Sequence, residues 1–179
     1  MWELKEPKPA KLIVGVLAAD DRCLGAAAQR LGSAFGPVDL TSEVWAFDQT
    51  PYYHREIGAT ILRQFVSIER LVDPGHLAAI KHQTNGLEQD LARDLALPVP
   101  RPVNLDPGLI EPSKLVLATT KNYSHRLYIG DRMYAEVTLM FDKGNWCPMP
   151  YTYPDYRQPC YHEFFSRVRD RLVEQLRQS

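Results

Sequence analysis

The stretch that most constrains the fold lies near the N-terminus: Lys11-Leu-Ile-Val-Gly-Val-Leu-Ala-Ala19. A continuous apolar run of this kind, without polar alternation, reads as a strand buried on both faces. Gly15 within it has two readings, close backbone approach by a ligand or tight packing of a helix on the sheet. Asp20 and Asp21 then offer a helix N-cap. Leu24, Ala27, Ala28, Leu31 and Phe35 recur at helical spacing, and Gly36-Pro37 stops the helix.

Thr41 to Phe47 reads as a second strand, and Thr60 to Val72 as a third. In the third, Leu62, Gln64, Val66 and Ile68 share one face, and Ile61, Arg63, Phe65 and Ser67 the other. The polar, aromatic loop Asp48–Glu56 makes this an antiparallel hairpin with an enlarged tip. Asp73-Pro74 starts a helix with the stripe Leu77, Ile80, Thr84, Leu87, Leu91 and Leu95. Pro98, Pro100 and Pro102 end it, and a strand follows near Val103–Leu105. His76 and His82, six apart, do not share a helix face and read as surface residues.

Strand, helix, strand, strand, helix, strand is the order of a ferredoxin-like βαββαβ core. Asp106-Pro107-Gly108 reads as a turn with Gly108 at positive φ. Ser113 to Lys121 admits a helix or a strand, and the helix is preferred. Arg126–Ile129 and Tyr134–Phe141 form a hairpin about Gly130-Asp131. Its second strand has Ala135, Val137, Leu139 and Phe141 on one face, with Tyr134, Glu136, Thr138 and Met140 on the other. The proline- and aromatic-rich stretch from Asp142 to Gln158 is expected to wrap the core. An amphipathic helix closes the chain, with Tyr161, Phe164, Phe165, Val168, Leu172 and Leu176 as its stripe. The expectation is one α+β domain over residues 1–179, a ferredoxin-like core extended by a C-terminal β-hairpin and helix.

Composition narrows the function classes. A net charge of −1 gives no global pull toward nucleic acid or anionic membrane. Cys23, Cys147 and Cys160 are odd in number and lack CxxC spacing, which suits free thiols in the cytoplasm. No apolar run approaches the roughly 20 residues that span a bilayer, and MWELKEPKPAK lacks the apolar region of a signal peptide. No phosphate loop, dinucleotide fingerprint, HExxH, EF-hand loop or GxSxG elbow occurs, and no cofactor is expected.

A polar cluster remains. Lys121, Ser124, His125 and Arg126 follow Thr119-Thr120; Asn104 and Asp106 precede them, and Glu136 and Thr138 lie in the last hairpin. Arg supplies a bidentate fork and Lys a mobile point charge, a set suited to phosphate. His125, Glu136 and Asp106 are the candidate catalytic groups; Asn104, Thr120, Lys121, Ser124 and Arg126 are the candidate ligand-binding groups. The competing reading makes KNYSHR a solvated turn, with Glu136 merely paired to Arg126. A second group, Tyr151-Thr-Tyr-Pro-Asp-Tyr-Arg157, either rims a pocket or wraps the core. Asp48, Tyr52, Tyr53 and His54 form a weaker third.

Several runs together are similar to a known family: KEPKPAKLIVGVLAAD, FGPVDLTSEVWAFDQTPYY, NLDPG, SKLVLATTKNYSHRLYIG, YAEVTLMF and YTYPDYR. The chain resembles prokaryotic proteins of about its own length, catalogued as a domain of unknown function with a DPG motif. That motif corresponds to Asp106, Pro107 and Gly108. The resemblance implies no activity, substrate or cofactor. The residues themselves favour binding or turnover of a small phosphorylated or nucleotide-like ligand. The alternative is an RNA-binding or protein-interaction module using an open sheet face with Tyr128 and Tyr134. A structural adaptor without a site is a third reading. Whether the protein is an enzyme, and its oligomeric state, stay open.

Overall fold

The computed structural model describes residues 2–49 and 53–178. The N-terminal apolar run is β1 (Ala10–Ala18), with all nine residues buried. It is the middle of the sheet because both its edges are used. β4 (Leu62–Val72) pairs antiparallel along one and β5 (Val103–Glu111) along the other. Between them in sequence lie α1 (Asp21–Phe35), β2 (Val38–Thr41), the short β3 (Trp45–Ala46) and α2 (Leu77–Leu95). β6 (Lys114–Thr119), β7 (Leu127–Gly130), β8 (Met133–Asp142), β9 (Asn145–Pro148) and α3 (Pro159–Gln178) complete the α+β domain. The strand order is β2-β4-β1-β5-β6-β8-β7, with β3 beside β4 and β9 beside β8.

Side-chain alternation along β1 assigns the two faces. Leu12, Val14 and Val16 of β1 face α1 and α2, whose Leu24, Leu31, Ile80 and Leu91 close that core. Asp20 caps α1 by accepting the Cys23 N–H at 2.8 Å. The opposite face carries an aromatic cluster. Phe65 lies 4.8 Å from Tyr161, 5.0 Å from Phe165 and 5.7 Å from Tyr156, centroid to centroid. Phe65 and Phe165 are fully buried, each worth about 1.5–3 kcal/mol by area alone. Trp146 and Tyr156 of the 142–158 stretch join this core, so the stretch wraps as its prolines and aromatics suggest. The three cysteines are unpaired, and burial pushes the Cys23 thiol up to about 11. Among the described residues no helix is long and apolar enough to cross a membrane.

Four expectations are corrected. Thr41–Phe47 is interrupted: β2 ends at Thr41 and β3 starts at Trp45. Within Ser113–Lys121 the segment Lys114–Thr119 is strand and no helix forms, because Pro112-Ser113 make a tight turn that folds β6 back on β5, with Lys114 bonded to Glu111 at 2.7 Å. The turn between β7 and β8 falls one residue later, at Asp131-Arg132, both at positive φ. Finally, Asp106-Pro107-Gly108 is not a turn and Gly108 is not at positive φ; all three lie inside β5.

The face assignment of β8 also changes. Leu115 pairs with Leu139, yet Val116 pairs with Val137, so Thr138 is an extra residue in the ladder. That bulge puts Glu136 and Leu139 on one face, where strict alternation opposes them. The cost in backbone hydrogen bonds is offset by the wrapping segment: the Tyr151 hydroxyl donates to the Val137 carbonyl and the Thr152 hydroxyl to that of Thr138.

Gly108 is required by contact. A Cβ there would lie 2.6 Å from Leu117 Cδ2 and 2.7 Å from the Val116 carbonyl oxygen. Gly108→Ala is therefore expected to destabilise by about 1–3 kcal/mol in urea denaturation. Gly86→Ala, in α2 with nothing within 4 Å of the new methyl, should be neutral or stabilising by about 0.5–1 kcal/mol. Equal effects at the two positions would refute the contact argument.

Candidate functional site

β5 and β6 pair only from Gly108 to Glu111, whereas β5 stays paired with β1 back to Val103. β6 beyond Leu117 pairs with β8 alone. The sheet therefore parts at Gly108, and a cleft of about 1120 Å³ occupies the gap. Its walls are α2, the ends of β5 and β6, the loop at Phe47 and Tyr53, and the stretch Tyr153–Tyr156.

An open strand edge leaves backbone groups that need partners. Side chains of α2 supply them: the Leu105 N–H donates to Glu88 Oε1 at 2.7 Å, and Lys81 Nζ donates to the Leu105 carbonyl at 2.9 Å. Pro107, two residues on, directs its ring nitrogen toward the same edge and has no N–H to leave unpaired. The DPG segment thus suits a strand whose ladder stops.

Charges are concentrated around this edge. Arg101 clamps Glu88 Oε2 through Nε at 2.9 Å and Nη2 at 2.6 Å, and reaches Glu56 at 3.2 Å. Asp106 accepts from Asn104 Nδ2 at 2.7 Å and lies 3.5 Å from Lys81 Nζ. Burial pushes the Glu88 carboxyl above its usual range, against the pull of Arg101, Lys81 and the Leu105 N–H. Asp155 is raised by burial in the same way, against Arg63, which bonds it at 2.9 Å. The cleft lining holds six cations, Arg63, Lys81, Arg93, Arg101, Lys121 and Arg126. Against them stand four carboxylates, Glu88, Asp106, Glu136 and Asp155. Among the described residues no group of three or more His, Cys, Asp or Glu is placed to hold a metal ion.

Of the residues singled out from sequence, Asn104, Asp106, Thr120, Lys121, Arg126 and Glu136 line the cleft; His125 and Ser124 do not. Arg126 spans Glu136 at 2.8 Å, the Lys121 carbonyl at 3.0 Å and the Tyr153 hydroxyl at 2.7 Å. His125 Nε2 sits 3.2 Å from the same Glu136 oxygen, its ring stacked on Tyr151 at 4.1 Å. His125 and Arg126 thus converge on one buried carboxylate, with His125 behind it. Tyr151–Arg157 fills both of its readings. Tyr156 enters the core, Tyr153 and Asp155 line the cleft, and Arg157 ties the segment by donating to the carbonyls of Met149, Pro150 and Thr152. In the third group Tyr53 lines the cleft, Asp48 and His54 are exposed, and Tyr52 lies outside the described residues. His82 is exposed and bonds the Asp131 carbonyl at 2.7 Å.

Arg63, Lys81, Glu88 and Arg101 escaped the sequence reading. Two of them left a signal. Lys81 and Glu88 are seven apart and share a helix face bordering the apolar stripe. Arg63 interrupts the apolar alternation Ile61, Phe65. Arg101 sits in a proline-rich linker where nothing marks it.

The sequence belongs to the family catalogued as Domain of unknown function (DUF4416), whose model matches residues 8–172. Neither curated proteins nor solved structures gave a match.

A raised carboxyl pKa sets the sign of a pH effect. Folded Glu88 holds its proton to a higher pH than the unfolded chain does, so its contribution is fully present below the usual 4.5 and is lost as pH rises through the folded pKa. The stability of the wild type relative to Glu88→Gln, from urea denaturation across the acid range, should therefore fall as pH climbs above 4.5. A difference that grows with pH would overturn this reading of the site.

Proposed function

We propose that this member of a family without assigned chemistry binds a small phosphorylated or nucleotide-like ligand in the cleft where the sheet parts. The observation that carries the reading is a large concave site lined by six cations, two of which, Arg93 and Arg101, also pair with Asp90 and Glu56 outside the lining. Its volume, about 1120 Å³, lies just above the roughly 300–1,000 Å³ usual for small-molecule pockets. Phe47, Tyr53, Tyr153 and Tyr156 add aromatic surface for a ring beside the anion. In this reading Lys121, Arg126 and Thr120 meet the phosphate at the β6 end, while Asn104 and Asp106 meet hydroxyl groups. His125 acts through Glu136 as a positioning residue. The pairing order β2-β4-β1-β5 supports a ferredoxin-like core for the first half of the chain. The unpaired cysteines support a cytoplasmic setting.

The alternative, a nucleic-acid or protein-interaction module, draws on one observation. β7 ends the sheet, and its Leu127 and Tyr128 are 75% and 61% exposed. The open face that reading calls for is absent over the central strands, which helices cover on both sides.

Thermal-shift measurements with inorganic phosphate, sugar phosphates and nucleotides test the leading proposal. At least one phosphorylated compound should stabilise the protein, less so as salt screens the charges. Lys121→Ala should weaken that binding by about 1.5–3 kcal/mol, on the scale of a hydrogen bond to a charged group. If no phosphorylated compound shifts the transition, the cleft reading falls.

A further inference from the structure

Arg63 is the most unusual side chain of the cleft. It projects from β4 and is 3% exposed, enclosed by Phe47, Phe65 and Tyr156 with ring centroids 5.1, 5.3 and 5.7 Å from its guanidinium carbon. Aromatic faces favour the cation but accept no conventional hydrogen bond. Asp155 takes Nη2 at 2.9 Å and the Tyr161 phenol sits against the guanidinium, while by strict geometry Nε and Nη1 have no hydrogen-bond partner among the described residues. The Tyr156 hydroxyl, on a residue 3% exposed, has none either. Buried donors of this kind are normally paired. Both residues line the cleft.

Gly15 gives the pair its room. A Cβ at Gly15 would lie 2.8 Å from Arg63 Nη1 and 3.1 Å from the Tyr156 hydroxyl oxygen. The two donors therefore meet above a backbone kept bare of a side chain, beside the β1–β5 pair Gly15–Asp106. The crowding at Gly15 thus comes from a charged side chain crossing β1 and two aromatic residues, not from a helix packed on the sheet. Burial holds the Tyr156 phenol well above its usual pKa, so the hydroxyl keeps its proton and can donate.

We propose that Arg63 and Tyr156 form an anion subsite in the floor of the cleft, separate from Lys121 and Arg126, so that the ligand carries two anionic groups. The inference rests on the cleft being a ligand site and specifies the ligand class: a phosphorylated compound with a second oxyanion, either a carboxylate or another phosphate. An oxyanion entering from the cleft would accept from Arg63 Nη1 and from the Tyr156 hydroxyl together. It would supply the acceptor that Asp155 provides to one nitrogen only.

Calorimetric titration of the whole chain with three probes tests this: glycerol 3-phosphate, 3-phosphoglycerate and fructose 1,6-bisphosphate. The wild type should bind one of the doubly anionic probes about tenfold more tightly than glycerol 3-phosphate, and which one identifies the second group. Tyr156→Phe removes only an unpaired hydroxyl. It should leave the unliganded melting temperature unchanged or higher, cost about tenfold in affinity for the doubly anionic probe, and spare glycerol 3-phosphate. Should Tyr156→Phe fail to fold, Arg63→Met with Asp155→Asn removes the cation and its counter-charge together and should show the same selective loss. Equal affinity of the wild type for all three probes, or an equal loss for all three in the variant, overturns the subsite and leaves the cleft reading intact. If none of the three probes binds, the subsite is overturned, and the cleft reading then stands or falls on the nucleotides of the thermal-shift series.

Discussion

The structure turns on the way α2 completes the open edge of β5. A strand that loses its neighbour exposes one N–H and one C=O every second residue, and each buried unpaired group costs about 1–3 kcal/mol. Here the cost is removed at Leu105 by two charged side chains rather than by another strand. Glu88 does two jobs at once, since its second oxygen holds Arg101 and so fixes the proline-rich linker that leads into β5. Removing one member of such a buried set leaves the others uncompensated, typically at 3–5 kcal/mol. Helix position, linker path and cleft shape are thus coupled through one carboxylate.

The opposite wall follows a different physics. The 142–158 stretch is ordered by burying Trp146 and Tyr156 among the aromatic side chains of α3 and β4. Once anchored, it places Tyr153 and Asp155 at the cleft and lends hydroxyls to the bulge in β8. The bulge in turn aims Glu136 at Arg126 and His125. Core packing and site geometry are consequently the same set of contacts on this side. A site built this way is held by packed rings and is pre-organised for binding.

Charge density in the cleft exceeds what stability requires. Each carboxylate there meets a cation, yet Glu88 and Asp155 are still raised by burial, and Arg63 keeps two nitrogens without acceptors among the described residues. Replacing a buried ion pair by apolar side chains is often neutral or stabilising. The proposed ligand would give these charges a use that folding alone does not.

The sequence by itself determined the elements whose signal is local. The β1 run, the stripes of α2 and α3, and the β7–β8 hairpin are all written in periodicity, and so is the order of elements through β5. It also determined that Lys121, Arg126 and Glu136 are drawn from one neighbourhood, because they lie close along the chain. Tertiary structure decided what pairing and register decide. Asp106-Pro107-Gly108 has turn chemistry, yet forms strand because β1 holds one edge and α2 caps the other. Thr138 looks like any alternating residue until the ladder shows it as a bulge, which turns Glu136 inward. Arg63, Lys81, Glu88 and Arg101 come from β4, α2 and a linker, far apart in sequence. Their convergence depends on where the sheet splits, and a long-range contact of that kind leaves no mark in local composition.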